Sequence, residues 1–291
     1  MNEHDAYVSL NREDILQTLI RLALAEDVGG GDWTTRWTIP AEATGAAMIV
    51  AKSPSVVSGT GAASAVFQAV DPRIAVNVLR GDAESVGRKQ AVMEVAGPLR
   101  SILTAERVAL NFLGHLSGIA TLTRAFVRAV EGTRARIVDT RKTTPGYRLL
   151  EKDAVRHGGG MNHRAGLHDM VLIKDNHIAA AGGVREALDA VERQNTKGLP
   201  VEVEVRTMRE LERVLKEPPD RILLDNMSIR DMTEAVYKVS ALGARRPELE
   251  ASGNVTLGSV ASIAGTGVDL ISVGALTHSA PTADLSLQLA L

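Results

Sequence analysis

The chain has 291 residues, of which 45% are hydrophobic and 23% charged, with a formal net charge of −2 and no cysteine. A near-neutral charge and only 3% aromatic residues argue against a nucleic-acid-binding protein. The lack of cysteine excludes disulfides and thiolate-bound metals. No apolar run reaches the roughly 18 residues that span a bilayer, and the N-terminus does not resemble a signal peptide. We therefore expect a cytoplasmic protein with no membrane partner and one or two domains.

The first third of the chain predicts a compact unit of helices and strands. Apolar residues recur at helical spacing over residues 12–27, and three glycines at 29–31 indicate the turn that follows. A second helical stretch is predicted at 62–70. Short β-type runs occur at 47–51, 56–58, 74–79 and 92–95. This unit is interpreted as a sandwich or an open barrel, and it shows no cluster of candidate catalytic or binding residues.

A long helix is predicted to begin at Thr104, a good N-cap residue, and to end near Gly132. Gly114 and Gly118 are four residues apart and share one face, which favours close packing. Arg107 would lie near the start of this helix, where a positive charge is unfavourable. It is either a surface arginine paired with Glu106 or an arginine directed at an anion near the helix N-terminus.

Strand and helix patterns alternate after residue 135, which predicts a parallel sheet. The strand candidates are 136–138, 170–173, 201–205, 222–224, 249–251 and 270–273. The helix candidates between them are 184–193, 208–216, 229–242 and 257–264. Six or seven such units in about 160 residues fit a small β/α barrel, and a doubly wound open sheet is the alternative. The chain has no dinucleotide-binding glycine motif and no Walker loop.

Charged or small residues follow each predicted strand. These residues are Asp139, Thr140, Arg141 and Lys142; Lys174, Asp175 and Asn176; Asp225 and Asn226; Ser252, Gly253 and Asn254; and Gly274 and Ala275. Further cationic residues, His163 and Arg164 among them, lie between the first two strands. Because β/α barrels bind ligands at the carboxyl ends of their strands, the pattern predicts a site for an anion with more than one acidic group.

The segment 201–205 reads Val-Glu-Val-Glu-Val, and alternate residues of a strand point to opposite faces. If helices cover the valines, Glu202 and Glu204 point into the barrel, where a carboxylate requires a cation. The alternative is an edge strand whose glutamates lie in water. Glu204 is nearer the carboxyl end of the strand. Together with Asp225 it suits Mg²⁺, which usually binds one or two carboxylates and substrate phosphates.

Nine motifs follow one another between residues 24 and 279. They are LAEDVGGGDWTT (24–35), TAERVALNFLGHLSGIAT (104–121), DTRKTTPGYR (139–148), HGGGMNHRAGLHD (157–169), LIKDNH (172–177), VEVEV (201–205), LLDN (223–226), EASGN (250–254) and VGALTHS (273–279). In this order they resemble the quinolinate phosphoribosyltransferase family, also called carboxylating nicotinate-nucleotide pyrophosphorylases. DTRKTTPG, HRAGL and LIKDNH are the most specific matches.

The resemblance implies an α/β fold with an incomplete seven-stranded β/α barrel at 116–276. It implies an N-terminal α/β sandwich-like domain at 1–115, on which C-terminal helices at 277–291 pack. The implied activity is that of a pentosyltransferase. It would transfer phosphoribosyl from phosphoribosyl pyrophosphate (PRPP) to quinolinate with decarboxylation, giving nicotinate mononucleotide, pyrophosphate and CO₂ in NAD synthesis. The implied cofactor is Mg²⁺, and the implied assembly is a homodimer or a higher oligomer.

The resemblance also assigns roles to residues. Those expected to hold quinolinate are Arg141, His163, Arg164 and Lys174, joined by Arg107 from the other subunit, with Thr140 also in the substrate site. Lys142 would bind a PRPP phosphate, and Glu204 and Asp225 would hold Mg²⁺–PRPP and face the cationic ribose. Catalytic candidates are Glu204, Asp225, Lys142 and Lys174. The expected 5′-phosphate cradle is Ser252, Gly253 and Asn254 with Val273, Gly274 and Ala275.

Two positions depart from the family pattern. Arg206 stands where an acid is common, and Ala283 stands where a larger aliphatic residue is expected. Neither is expected to touch a predicted contact. The alternative functions are a related phosphoribosyltransferase acting on another base, such as a molybdenum-operon homologue or a nicotinate enzyme, a Schiff-base aldolase using Lys142 or Lys174, and a non-catalytic anion-binding protein.

Overall fold

The computed structural model describes residues 11–290. Residues 1–10 and 291, which the predicted domain boundaries include, lie outside this range. The chain divides into two compact units. The first contains the described residues up to Thr121, with Thr144–Gly158 and the segment from Ala280 onward; the second contains Leu122–Thr143 and Gly159–Ser279. Within residues 11–290, no helix is both long enough and apolar enough to cross a membrane.

The elements follow the predicted pattern closely. The helices are α1 (Arg12–Val28), α2 (Trp33–Thr38), α3 (Thr60–Val70), α4 (Leu99–Ala129), α5 (Arg148–His157), α6 (Asp175–Ala181), α7 (Val184–Gln194), α8 (Met208–Val214), α9 (Ile229–Ser240), α10 (Val260–Ala264) and α11 (Ala275–His278). The strands are β1 (Thr44–Ala51), β2 (Ser55–Val56), β3 (Ala75–Val78), β4 (Ser85–Val86), β5 (Ala91–Pro98), β6 (Arg136–Val138), β7 (Val171–Ile173), β8 (Val201–Val205), β9 (Arg221–Asp225), β10 (Glu248–Ser252), β11 (Leu270–Ser272) and β12 (Leu285–Ala290).

The first unit contains a four-stranded antiparallel sheet in the order β12-β1-β5-β3. β12 corrects the prediction of C-terminal helices, because residues 285–290 form a strand that pairs with β1. The sequence Leu-Ser-Leu-Gln-Leu alternates apolar and polar residues, which is the pattern of a strand with one buried face. The pairing gives β1, which would otherwise be an edge strand, a hydrogen-bonded partner on each side.

Helix α4 begins earlier than predicted. It starts at Leu99, directly after β5, so Thr104 lies inside the helix and is not its N-cap. The Thr104 hydroxyl instead donates a hydrogen bond to Asp32 Oδ2 at 3.0 Å, and this tertiary contact replaces the capping role. Arg107 is exposed and lies more than two turns into the helix. Arg107 therefore does not lie at a helix start, and the prediction that it does is wrong.

The second unit is built on a parallel sheet, which confirms the predicted fold class. Six strands pair in the order β6-β11-β10-β9-β8-β7. The resemblance implied seven strands, and the described part of this sheet has six; Met161 adds an isolated parallel bridge to Val138. Its N–H donates to Ile137 O at 2.8 Å and its carbonyl accepts from Asp139 N at 3.1 Å. The strand pairing ends there because the side-chain amide of Asn162 and the backbone N–H of His163 donate to the Asp139 carboxylate instead.

The face of α4 that carries Gly114 and Gly118 packs against the chain just before β12, as their spacing predicted. The Gly114 carbonyl accepts from Ala283 N at 2.9 Å. A Cβ at Gly114 would lie 2.9 Å from Thr282 Cγ2, and one at Gly118 would collide with the Pro281 carbonyl. Only glycine allows this close approach of two backbones.

We expect Gly118→Ala to destabilise the protein by about 1–3 kcal/mol, the usual cost of overpacking a filled site. Gly61→Ala is the matched control, because a Cβ at Gly61 in α3 meets nothing within 4 Å and alanine favours a helix. Urea denaturation would measure the free energy of unfolding of both variants. Equal stability of the two variants would contradict the packing argument.

Candidate active site

The carboxyl ends of the six parallel strands carry most of the predicted site residues. Thr140, Arg141 and Lys142 follow β6, Lys174 follows β7, Glu204 lies near the end of β8, Asp225 ends β9, Ser252–Asn254 follow from β10, and Val273–Ala275 follow β11. The exceptions are Arg107, which lies on α4 in the first unit, and His163 and Arg164, which lie in the segment between α5 and β7. The parallel register of the sheet places the other residues along one edge.

Glu204 is held at this edge by Lys174, which follows the neighbouring strand β7. Lys174 Nζ lies 2.6 Å from Glu204 Oε2, and the Glu204 side chain is 8% exposed. Val203 and Val205 are buried on the opposite face of β8. The alternation of the Val-Glu-Val-Glu-Val segment therefore separates an apolar face from a carboxylate face, and both faces are covered.

Arg206 contacts both carboxylates that were predicted to hold the metal. Its Nε lies 3.3 Å from Asp225 Oδ2 and its Nη2 lies 3.4 Å from Glu204 Oε1. Its Nη1 lies 2.9 Å from Asp175 Oδ2. The expectation that Arg206 touches no predicted contact is therefore wrong. Sequence reasoning missed it because a residue one position beyond a strand has no fixed side-chain direction.

Asp139 organises the loop that carries His163 and Arg164. It is fully buried, and its carboxylate accepts from Asn162 Nδ2 at 2.7 Å and from His163 N at 2.8 Å. Arg164 Nη1 in turn donates to Met170 O at 3.2 Å. Asp139 was noted as a strand-end residue but was not assigned a role in the site.

The positive charges of Arg141 and Arg164 repel each other. Burial lowers the pKa of Arg164, and the charge of Arg141 lowers it further, against the opposing charges of Glu202 and Asp169. Mutual repulsion of two guanidinium groups is relieved when an anion binds both. The pair is therefore suited to a carboxylate, which guanidinium binds in a bidentate manner.

His163 is directed into the protein, not at the edge where ligand would enter. Its side chain is 7% exposed, and Nε2 lies 3.0 Å from Glu202 Oε2 and 3.4 Å from Glu250 Oε2. Nδ1 accepts from the Arg164 backbone N–H at 2.8 Å. Both ring nitrogens thus have partners within the protein. In this structure His163 orients the loop of Arg164, and its contact with quinolinate stays a prediction.

The buried cluster of His163, Glu202, Glu250 and Arg221 retains one additional proton. Glu202 and Glu250 are fully buried, and the fixed cation is Arg221, whose Nη1 lies 3.4 Å from Glu250 Oε2. Burial lowers the pKa of His163, but hydrogen bonds and charge interactions with the two glutamates outweigh it and raise the pKa to about 9. Burial also raises the pKa of Glu202. A proton on the ring or on Glu202 makes the cluster neutral.

The same cluster has the spacing of a possible metal site. The ligand atoms of His163, Glu202 and Glu250 lie within 4.8 Å of one another. Arg221 and the retained proton already balance the two carboxylates, so an added dication would leave the buried cluster with excess positive charge. We therefore interpret it as an ionic core. The Val-Glu-Val-Glu-Val alternation predicted that Glu202 points inward, whereas Glu250 was only the first residue of the EASGN motif and was assigned no role.

Two loops next to the carboxylates are constrained by their backbone. Asn226, Gly253 and Asn254 have φ of 53°, 103° and 49°, in the region that favours glycine and asparagine. Asn226 N donates to Ser252 O at 2.8 Å, and Asn254 Nδ2 donates to Asn226 Oδ1 at 3.2 Å. A Cβ at Gly253 would collide with the Asn226 side chain. The loops after β9 and β10 therefore form one hydrogen-bonded unit.

Lys142 lies beside the turn that follows β11. A Cβ at Gly274 would lie 3.2 Å from Lys142 Cδ, and Thr277 Oγ1 donates to the Lys142 carbonyl at 2.8 Å. The Lys142 side chain is exposed. This arrangement brings a lysine and the small residues at Val273–Ala275 together, which is a combination suited to phosphate.

The retained proton makes stability depend on pH. The pKa of about 9 in the folded protein exceeds the ordinary value of 6.5, so the stabilisation is complete below pH 6.5 and is lost as the pH rises through 9. We expect His163→Gln to cost about 3 kcal/mol of unfolding free energy at pH 6.5, with the difference from wild type shrinking toward pH 9.5. Denaturant titration at several pH values measures it.

The control for this prediction is His168→Gln, which removes an exposed histidine. Its difference from wild type is expected to vary less over the same pH range, because an exposed charge contributes little to stability. A constant difference between wild type and His163→Gln from pH 6 to 9.5 would contradict the raised pKa.

Comparison with known proteins identifies the family. Residues 32–117 match the family model described as quinolinate phosphoribosyl transferase, N-terminal domain, and residues 119–288 match that of its C-terminal domain. The chain is 44% identical over 275 residues to a probable carboxylating nicotinate-nucleotide pyrophosphorylase of Synechocystis sp., covering 94% of this chain and 92% of the relative. It is 45% identical over 279 residues to the carboxylating nicotinate-nucleotide pyrophosphorylase of Mycobacterium leprae, covering 95% and 98%.

A solved structure agrees with this result. The nicotinate-nucleotide pyrophosphorylase of Francisella tularensis superimposes with a TM-score of 0.90 at 40% identity, covering 96% of this chain and 98% of the other. The similarity extends through both units and includes the strand ends described above. This chain belongs to the quinolinate phosphoribosyltransferase family.

Proposed function

We propose that this chain transfers the phosphoribosyl group of PRPP to the ring nitrogen of quinolinate, with loss of one carboxyl group as CO₂. The products are nicotinate mononucleotide and pyrophosphate, so the enzyme is a pentosyltransferase of NAD synthesis. The observation that carries the proposal is the combination at one sheet edge of Arg141, Lys142 and Lys174, which follow their strands, with the carboxylates of Glu204 and Asp225, which share one guanidinium partner. Family membership supports the same reaction.

Quinolinate carries two neighbouring carboxylates, and the proposed site offers cations for both. Arg141 and Arg164 bind them through charge-assisted hydrogen bonds, with Thr140 beside them. Lys174 joins them by exchanging Glu204, its partner at 2.6 Å, for a substrate carboxylate. The number of ion pairs stays the same in this exchange when Glu204 gains another cation at the same time.

The carboxylates of Glu204 and Asp225 fit a divalent cation. One guanidinium already contacts both of them, which supports a cation site beside the two carboxylates. Mg²⁺ is commonly held by one or two carboxylates together with substrate phosphates, and it would neutralise the departing pyrophosphate. Lys142, Ser252–Asn254 and Val273–Ala275 are the proposed contacts of the remaining phosphate groups.

The chain's own residues stabilise the charge that develops during transfer. The pyridine nitrogen forms a bond to the anomeric carbon while the bond to pyrophosphate breaks, and pyrophosphate leaves with the electron pair. Positive charge then spreads over the ribose, and the fixed carboxylates of Glu204 and Asp225 stabilise it. Breaking the bond to the carboxylate beside the ring nitrogen leaves an electron pair next to N⁺, and this carbon then takes a proton. CO₂ leaves, and the ring becomes nicotinate mononucleotide.

Two further proposals concern the oligomeric state and the cellular location of the protein. We propose a homodimer, or a higher oligomer, in which the exposed Arg107 of one subunit contributes to the site of the other. A cytoplasmic location stays a prediction, because several plant relatives are named as chloroplastic or mitochondrial enzymes.

An aldolase function is less well supported, since the ammonium of Lys174 is held in an ion pair, whereas a Schiff base needs a neutral amine.

The proposed reaction predicts release of CO₂ from carboxyl-labelled quinolinate only when PRPP and Mg²⁺ are both present. Nicotinate offered in place of quinolinate is expected to yield no mononucleotide, because one cationic subsite would remain unpaired. Labelled CO₂ and the mononucleotide product are measured in the same reaction. Product from nicotinate and none from quinolinate would favour the related enzyme that acts on another base.

Arg164→Lys is expected to lower kcat/KM for quinolinate by about 10- to 100-fold, because it keeps the charge but loses the bidentate hydrogen bonds. The KM for PRPP is expected to change little. Arg230→Lys, an equal substitution at an exposed position of α9, is the control. Equal kinetics of both variants would show that Arg164 does not bind quinolinate.

A further inference from the structure

The guanidinium of Arg206 occupies the space between the two proposed metal-binding carboxylates. Its three nitrogen atoms each face a different carboxylate, those of Asp225, Glu204 and Asp175. The two contacts with Glu204 and Asp225 are longer, at 3.4 and 3.3 Å, than the 2.9 Å contact with Asp175. The inner pair is therefore the weaker part of this arrangement.

The backbone of Arg206 is fixed, so only its side chain is free to move. Its N–H donates to Glu210 Oε2 at 2.7 Å. Glu210 lies in the first turn of α8, and its own N–H donates to Thr207 Oγ1, the N-cap of that helix. These reciprocal bonds anchor residue 206 to the start of α8.

The side chain can leave the carboxylates without leaving Glu204 unpaired, because Lys174 Nζ still lies 2.6 Å from Glu204 Oε2. It is 53% exposed, and Asp175 is similarly exposed at 51%, whereas Glu204 is 8% exposed. Ion pairs of exposed side chains contribute little to stability. Asp175 makes the shortest of the three contacts with Arg206, at 2.9 Å, and it remains available as a partner when the inner contacts break.

We propose that Arg206 is an internal counter-ion that occupies the divalent-cation site of Glu204 and Asp225 in the free protein and is displaced when the metal binds. The inference rests on the proposed function, since it takes these two carboxylates as the metal site. Because the cation and the guanidinium compete for the same oxygens, Arg206 lowers the affinity of the free protein for metal. It also keeps the two carboxylates paired while the site is open to water.

The test is titration of the free protein with Mn²⁺, a probe for Mg²⁺ whose unbound form is measured by electron paramagnetic resonance. Arg206→Gln is expected to bind Mn²⁺ about three- to tenfold more tightly than wild type, as expected from the loss of two weak ion pairs. Arg206→Lys retains the charge and is expected to lie between the two. Arg209→Gln removes the same charge from an exposed position of α8 and is expected to remain within about twofold of wild type.

The outcomes separate this inference from the proposed function. Equal Mn²⁺ affinity of Arg206→Gln and Arg209→Gln would overturn the role of Arg206. If the double variant Glu204→Gln, Asp225→Asn bound Mn²⁺ as well as wild type, the metal site itself would be misplaced and both proposals would fail. Circular dichroism of each variant confirms that it is folded before titration.

Discussion

The charge balance of inward-facing carboxylates is the constraint on which the second unit depends. Strand β8 places Glu202 and Glu204 on one face, where water is largely excluded. An unpaired carboxylate there is unfavourable by several kcal/mol. Each glutamate is therefore paired with cationic side chains from neighbouring elements. The partners of Glu202 are more deeply buried than those of Glu204.

The partners of Glu202 are buried and permanent, whereas the partners of Glu204 are more exposed and can be exchanged. Glu202 interacts with His163 and, through Glu250, with Arg221, all largely removed from water. Glu204 interacts with Lys174 and Arg206, whose side chains are 44% and 53% exposed. Buried partners hold the loop of Arg164 in place, while exposed partners can be replaced by substrate and metal. Burial thus separates the residues that position the site from those that bind ligand.

Much of the fold could be predicted because its signals are local. The strands at 136–138 and 201–205 were predicted with the bounds they have, since apolar runs and alternation depend on neighbouring residues alone. The start of α4 and the strand β12 were not predicted. Thr104 has the chemistry of an N-cap, but Asp32, 72 residues earlier, accepts its hydrogen bond. β12 depends on a partner, β1, that lies more than 230 residues away in the chain.

The sequence by itself determined the family, the parallel strands and the residues at their ends, because these follow from motifs and from periodicity. Only the tertiary structure decided which charged side chains form ion pairs with each other. It directed His163 toward Glu202 and Glu250 and brought Arg206 onto Glu204 and Asp225. Side-chain direction beyond a strand end depends on the nearest opposite charge in space, and no spacing along the chain encodes that distance.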